Sequence, residues 1–313
     1  NETPETGDAE HHWNAWKVFS LEAYGRCHTP IERIRQQHPG LTRYDIVDRI
    51  SATKGTFAWW WSAACEVRES INSLNAWGVR LHEWQAWNRV ISEHDGEEDR
   101  WDVLHHFAEP IAFFCMLQPS SFADRLALTA ENLLHQTNQR ICPMEPDRLV
   151  QDKPPGKPLR RSDRKKQLTV LGGRWSAFPS FQRALNALDG AQYSDATRNF
   201  RDLAVHSFSP RLLLGQISRA IRSIVPRTDM VRREDGRYVS TEHPTEKTVR
   251  YSMVTYEPLS LEDTIKANLE EYQRAKAAME CFITLVVDLC DAINRAPTGP
   301  EVSPAGAANS EQN

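Results

Sequence analysis

The side chains of this sequence best suited to proton transfer and phosphate contact lie between Ser194 and Ser209, in the run Ser-Asp-Ala-Thr-Arg-Asn-Phe-Arg-Asp-Leu-Ala-Val-His-Ser-Phe-Ser. On a helical wheel at about 100° per residue, Ala196, Phe200, Leu203 and Ala204 form one apolar arc. Asp195, Asn199, Asp202 and His206 form a narrow polar stripe on a different face. Asp202 and His206 stand one turn apart, a spacing at which a carboxylate holds an imidazole and raises its basicity. Arg198 borders the stripe. Arg201 lies about 140° round from His206 on an ideal wheel. It must reach back, or meet a histidine from another chain. Guanidinium groups, a carboxylate and a histidine make a set for phosphate chemistry.

Arg201-Asp202-Leu203-Ala204-Val205-His206 resembles the signature of the HEPN superfamily: an arginine, a polar residue (usually Asn, Asp or His), a short spacer and a histidine. Other Arg/His pairs at similar spacing carry Ile34, Val90, Trp101 and Tyr238 after the arginine. The resemblance covers six residues and their helical context. It implies a helical bundle in which the motif lies late in a helix and two copies meet across a homodimer. It further implies a metal-independent endoribonuclease, of the kind found in toxin–antitoxin and antiphage systems, with no cofactor. His206 is then the general base on the ribose 2′-hydroxyl or the acid on the leaving 5′-oxygen. Arg201 stabilises charge on the phosphoryl oxygens, and Asp202 orients His206. The 2′-hydroxyl requirement excludes DNA as a cleavage substrate. Arg198, Asn199 and Arg211 are the expected substrate contacts near the motif. Arg160, Arg161, Arg164, Lys165 and Lys166, in a basic run upstream, are expected to grip RNA phosphates. The expected partners are RNA, a second copy of the chain and a cognate antitoxin or regulatory protein.

Two other readings stay open. One is a catalytically inactive interaction or regulatory module, with Arg198 and Asp202 ion-paired at i,i+4 and His206 partly buried. The other is a metal-dependent helical enzyme. His105 and Glu109 are one turn apart beside His106, but no paired Glu-x-x-His answers them on another helix, as a di-iron bundle needs. No phosphate-binding glycine loop and no Gly-x-Ser-x-Gly elbow is present.

The elements that must position these residues are mainly helical, with a small antiparallel β-hairpin inserted at about 228–257. Residues 1–9 and 296–313 read as disordered ends. Residues 10–140 read as helical throughout, with Trp77, Leu81, Trp84, Trp87 and Ile91 at helical spacing. Pro30 opens one helix. Another region, 53–92, reads as one long helix or as two that break near Gly78, and two further helices cover about 100–117 and 121–138. Residues 141–168 carry five prolines and a basic cluster and read as a linker or exposed loop. Helix resumes over 169–295 around the insertion, running to about Val225 before it. Arg219 and Arg222 are placed on that helix. In the insertion, Asp235-Gly236 marks a hairpin turn and Val249–Tyr256 a third strand.

Composition sets the outer bounds. Lys and Arg number 38 against 42 Asp and Glu, so any nucleic-acid surface is local. Arginine, the better phosphate fork, outnumbers lysine 29 to 9. The six cysteines form no Cys-x-x-Cys pair and read as reduced thiols, which with the absence of a signal peptide or membrane span points to the cytoplasm. Three adjacent indoles, Trp59, Trp60 and Trp61, cannot all face one core.

Overall fold

A computed structural model describes residues 6–37, 40–55, 59–142 and 160–296. The expected disordered stretches at 1–5 and 297–313, and most of the Pro-rich linker, lie outside those residues. The chain is mainly α-helical with one two-stranded antiparallel sheet. Among the described residues no helix is long and apolar enough to cross a membrane. No disulfide joins the six cysteines.

The helices are α1 (Thr6–Gln37), α2 (Asp45–Ser51), α3 (Ala64–Ser92), α4 (Glu97–Val103), α5 (Glu109–Ile141), α6 (Arg161–Gly172), α7 (Phe178–Asn186), α8 (Ala191–Ala196), α9 (Phe200–His206) and α10 (Leu261–Arg295). Single π-helical turns, Trp59–Ala63 and Leu104–Ala108, lead into α3 and α5. Two expected boundaries dissolve. Pro30 does not open a helix but lies inside α1, and Pro119 lies inside α5, where two helices were expected. A proline costs about 3 kcal/mol inside a helix. α5 buries Cys115 and Met116 before its proline and Phe122, Leu126 and Leu133 after it. Each large side chain contributes about 1.5–3 kcal/mol, so packing overrides the break. Of the two readings of 53–92, the unbroken one holds at Gly78. A Cβ there would lie 2.4 Å from the Tyr272 hydroxyl oxygen, so glycine permits close approach inside an unbroken α3. At the other ends, α1 already includes residues 6–9, and α6 begins within the segment read as a linker.

The described contacts divide the chain into two compact units, and α1, α3, α5 and α10 contribute residues to both. Unit 1 comprises Asn1–His28, Trp84–Met116 and Ala191–Asn268. Its core includes Trp84, Trp87, Val90, Leu104, Ala112, Phe200 and Ile265, and Trp87 stacks on Phe107 with ring centres 4.5 Å apart. Unit 2 comprises Thr29–Glu83, Leu117–Gly190 and Leu269–Asn313. Trp59, Trp77, Phe122, Phe181 and Phe282 are its largest buried side chains, and Trp77 sets its edge against Tyr272. Of the adjacent indoles in this unit, Trp59 is buried, whereas Trp60 and Trp61 are 52% and 70% exposed. Trp60 Nε1 donates to the Thr53 carbonyl at 2.8 Å.

The hairpin is larger and begins earlier than expected. Strand β1 spans Ile217–Arg232 and β2 spans Tyr238–Tyr256. Residues 217–225, expected helical, are therefore strand, and Val249–Tyr256 is the far half of β2 and not a third strand. The turn falls at Asp235-Gly236 as the sequence indicates, with Gly236 at φ +82°. Pairing runs from Ile217↔Tyr256 to Pro226↔Lys247, then resumes from Thr228↔Glu242 to Arg232↔Tyr238. His243–Glu246 bulges out opposite Arg227, whose guanidinium clamps the irregularity through Glu246 at 2.6 Å and Asp229 at 3.1 Å. At about 3.3 Å per residue the arm is about 50 Å long. Its base is closed by Leu212 and Leu259, both buried: the Leu213 N–H donates to the Leu259 carbonyl and the Leu259 N–H to the Arg211 carbonyl, each at 2.8 Å.

Candidate functional site

The Arg201/His206 motif sits on α9, in unit 1, and α9 is shorter than the wheel implied. Arg198 and Asn199 take positive φ values of 49° and 54°, which end α8 and restart the chain as α9. A left-handed arginine costs about 1–2 kcal/mol, offset here by Arg198 Nη1 donating to the Glu257 carbonyl at 2.7 Å. The expected single apolar arc is broken as a result. Ala196 is exposed, Leu203 and Ala204 are half-buried, and Phe200 alone of the four is buried, its ring edge-on to Phe113 at 5.5 Å. Tyr193 anchors α8 from below, donating to Asn268 Oδ1 at 3.1 Å.

The contacts of the motif residues differ from the wheel too. Asp202 is held by its neighbour Arg201, Nη1 to Oδ1 at 2.5 Å. That hydrogen bond is the main cause that lowers the Asp202 carboxyl below its usual range; the Arg201 charge and an Asn199 hydrogen bond add to it. His206 is exposed and has no hydrogen-bond partner among the described residues. Among the described residues no hydrogen bond joins Asp202 to His206, although His206 is near enough for its charge to help lower the Asp202 carboxyl, and no ion pair joins Arg198 to Asp202. What reaches the end of α9 is Arg219 from β1. It donates to Ser207 Oγ, and its guanidinium lies 5.6 Å from the centre of the Tyr256 ring. The site is thus His206 with Arg201 on its own helix and Arg219 beside the next residue, a locally cationic surface with one engaged carboxylate.

The expected substrate contacts are divided between the two units. Arg211 faces Glu109 at 3.6 Å, and Glu109 also accepts from His105 at 3.0 Å, which accounts for the His105/Glu109 spacing. Arg160, Arg161, Arg164, Lys165 and Lys166 belong to unit 2, whereas α9 belongs to unit 1. Arg161 is engaged by Asp124 and Asp189, each at 3.1 Å. Arg164 donates to Glu131 at 2.5 Å, and Gln167 donates to the same carboxylate at 2.6 Å. Burial raises the Glu131 carboxyl against the pull of Arg164. Arg160, Lys165 and Lys166 remain exposed, and the rest of the basic run lies outside the described residues. Sequence reasoning had Arg219 on a helix, where it could not meet Ser207. The signal that would have found it is its pairing with Val254 across the strands. Among the described residues no group of three or more His, Cys, Asp or Glu is arranged to hold a metal ion.

No protein-family model matches this chain, no curated protein is similar to it in sequence, and no solved structure matches its fold.

Proposed function

We propose that this chain is a metal-independent endoribonuclease of the HEPN type that acts as a homodimer. The observation that carries the reading is His206: an exposed imidazole at the end of α9, without a hydrogen-bond partner among the described residues, next to the Arg219–Ser207 contact and on the same helix as Arg201. In the reaction, His206 takes the proton of a ribose 2′-hydroxyl. The O2′–P bond forms, the P–O5′ bond breaks, and a histidine of the second copy protonates the leaving 5′-oxygen. Arg219 and Arg201 neutralise charge on the phosphoryl oxygens. The test is cleavage of RNA by purified protein with and without EDTA, beside a folded His206→Ala control. Cleavage that survives EDTA and is lost in His206→Ala supports the reading. Cleavage that needs Mg²⁺, or that His206→Ala retains, ends it.

A second reading is favoured by one observation: Asp202 is bound to Arg201, and no hydrogen bond holds His206 among the described residues. On that reading the chain is a non-enzymatic interaction module, and the same experiment shows intact RNA at every protein concentration.

A further inference from the structure

A cleft of about 560 Å³ opens in unit 1 at the base of the hairpin, walled by the second half of α3, the end of α4, residue 213 and the start of α10. That volume suits a small organic ligand. One wall is apolar, made by Ile91, Leu213, Leu261 and Ile265. Against it stand two guanidinium groups, Arg89 of α3 and Arg100 of α4. Neither has an ion-pair partner among the described residues, and Arg100 Nε is buried without an acceptor. Other guanidinium groups are held by carboxylates, as at Arg49, Arg161, Arg164 and Arg227. The N-terminus of α10, a helix of 35 residues, opens on the same cleft at Ser260 and Leu261. Glu262 is the one acidic residue of the lining, and it is exposed.

Two further walls ask for hydrogen-bond donors. Gln85 Oε1 and Asn88 Oδ1, on residues lining the cleft, are buried with no donor to either. Unmet buried acceptors are costly, and a ligand bearing hydroxyl or amino groups meets them once the two amides turn. The lining therefore asks for three things in one molecule: a multiply charged anion, a donor-bearing middle and a flat apolar body. Two forks and a helix N-terminus suit a phosphate better than a singly charged carboxylate.

We propose that this cleft binds a small organic phosphate built like a nucleoside monophosphate. The site is separate from His206, and it stands or falls without the cleavage reading. It also touches the hairpin's anchorage. Leu213 lines the cleft at φ +59°, and Ser260 follows directly on Leu259, whose partner Leu212 closes the arm. A bound phosphate should therefore slow amide exchange at Leu213 and Leu259.

The test is calorimetric titration of the full chain with AMP, adenosine and inorganic phosphate, with hydrogen exchange read on the AMP-loaded protein. AMP is expected to bind at least tenfold more tightly than either fragment. Arg89→Gln is expected to weaken AMP about tenfold or more and to leave adenosine unchanged; Arg89 is exposed, so the fold survives. Ile265→Trp, which fills the apolar wall, is expected to weaken AMP and adenosine alike. His206→Ala is expected to bind AMP like the parent, so loss of cleavage and loss of binding are told apart. No binding of AMP at millimolar concentration, or equal AMP binding by Arg89→Gln, overturns the proposal.

Discussion

Replacing Arg164 with methionine keeps the apolar stem and removes the guanidinium from a nearly buried carboxylate. Glu131 and Arg164 side chains are 8% and 16% exposed, and their closest atoms are 2.5 Å apart. With charge centres about 4 Å apart and an effective dielectric near 20, their attraction is about 4 kcal/mol. Gln167 Nε2 still donates to Glu131, at 2.6 Å in the parent, and returns part of that. The net loss at pH 7 is about 3 kcal/mol, the low end of what breaking a buried pair costs. Burial already raises the Glu131 carboxyl and Arg164 pulls it down, so the variant's carboxyl moves higher still. A folded-state pKa above the unfolded one stabilises the protein below the unfolded value, and that contribution is lost as pH rises through the folded value. The gap between parent and variant should therefore be widest near neutrality and should narrow steadily as Glu131 protonates toward about pH 4. Urea denaturation at pH 7, 5.5 and 4.5 measures it, and Glu131→Gln in the variant background should recover much of the loss at pH 7. A gap under about 0.5 kcal/mol at pH 7, or one that does not change with pH, refutes the reasoning.

Three more outcomes follow from named contacts. His206→Ala should lower single-turnover RNA cleavage by about a hundred- to ten-thousand-fold and leave the melting temperature unchanged, because the imidazole is exposed; a large loss of stability would show that it packs. A Cβ on Gly172 would lie 2.3 Å from the ring of Phe178, which is 3% exposed, so Gly172→Ala should cost about 1–3 kcal/mol despite alanine's better helix propensity; an unchanged urea midpoint would contradict that packing. Trp59→Ala should cost about 3–5 kcal/mol while Trp61→Ser costs almost nothing, since the two indoles are 1% and 70% exposed; equal effects on thermal melting would contradict the division of that run.

The helical body was legible because its signal is local. Trp77, Leu81, Trp84, Trp87 and Ile91 fall at helical spacing, and all five are buried along α3. Asp235-Gly236 was legible for the same reason: a turn's chemistry resides in adjacent residues. Residues 217–225 misled for a physical cause. Ile217, Ala220, Ile221, Ile224 and Val225 recur with the spacing of an amphipathic helix. What decides their state is pairing with Val249–Tyr256, some way along the chain, and β-branched side chains suit that pleat. The break before α9 left no local trace either. Thr197-Arg198-Asn199-Phe200 contains neither glycine nor proline, and only the Glu257 carbonyl explains why an arginine accepts a left-handed backbone. The motif residues were therefore found by type, while their partners, Arg201 for Asp202 and Arg219 for Ser207, depended on contacts a wheel does not contain.

The base of the arm, from the Leu212–Leu259 clasp out to Arg219, is tied to the body: Arg219 reaches Ser207 and the Glu257 carbonyl holds Arg198. Beyond Arg219 and its cross-strand partner Val254 the arm is a module of variable length, where residues can be added or deleted in cross-strand pairs without touching those contacts. Steps of two per strand keep every remaining side chain on its own face, whereas a step of one turns the outer face inward along the rest of the arm. The outer part of the hairpin is thus free to vary in length by quantised increments, while its base keeps its place against α9.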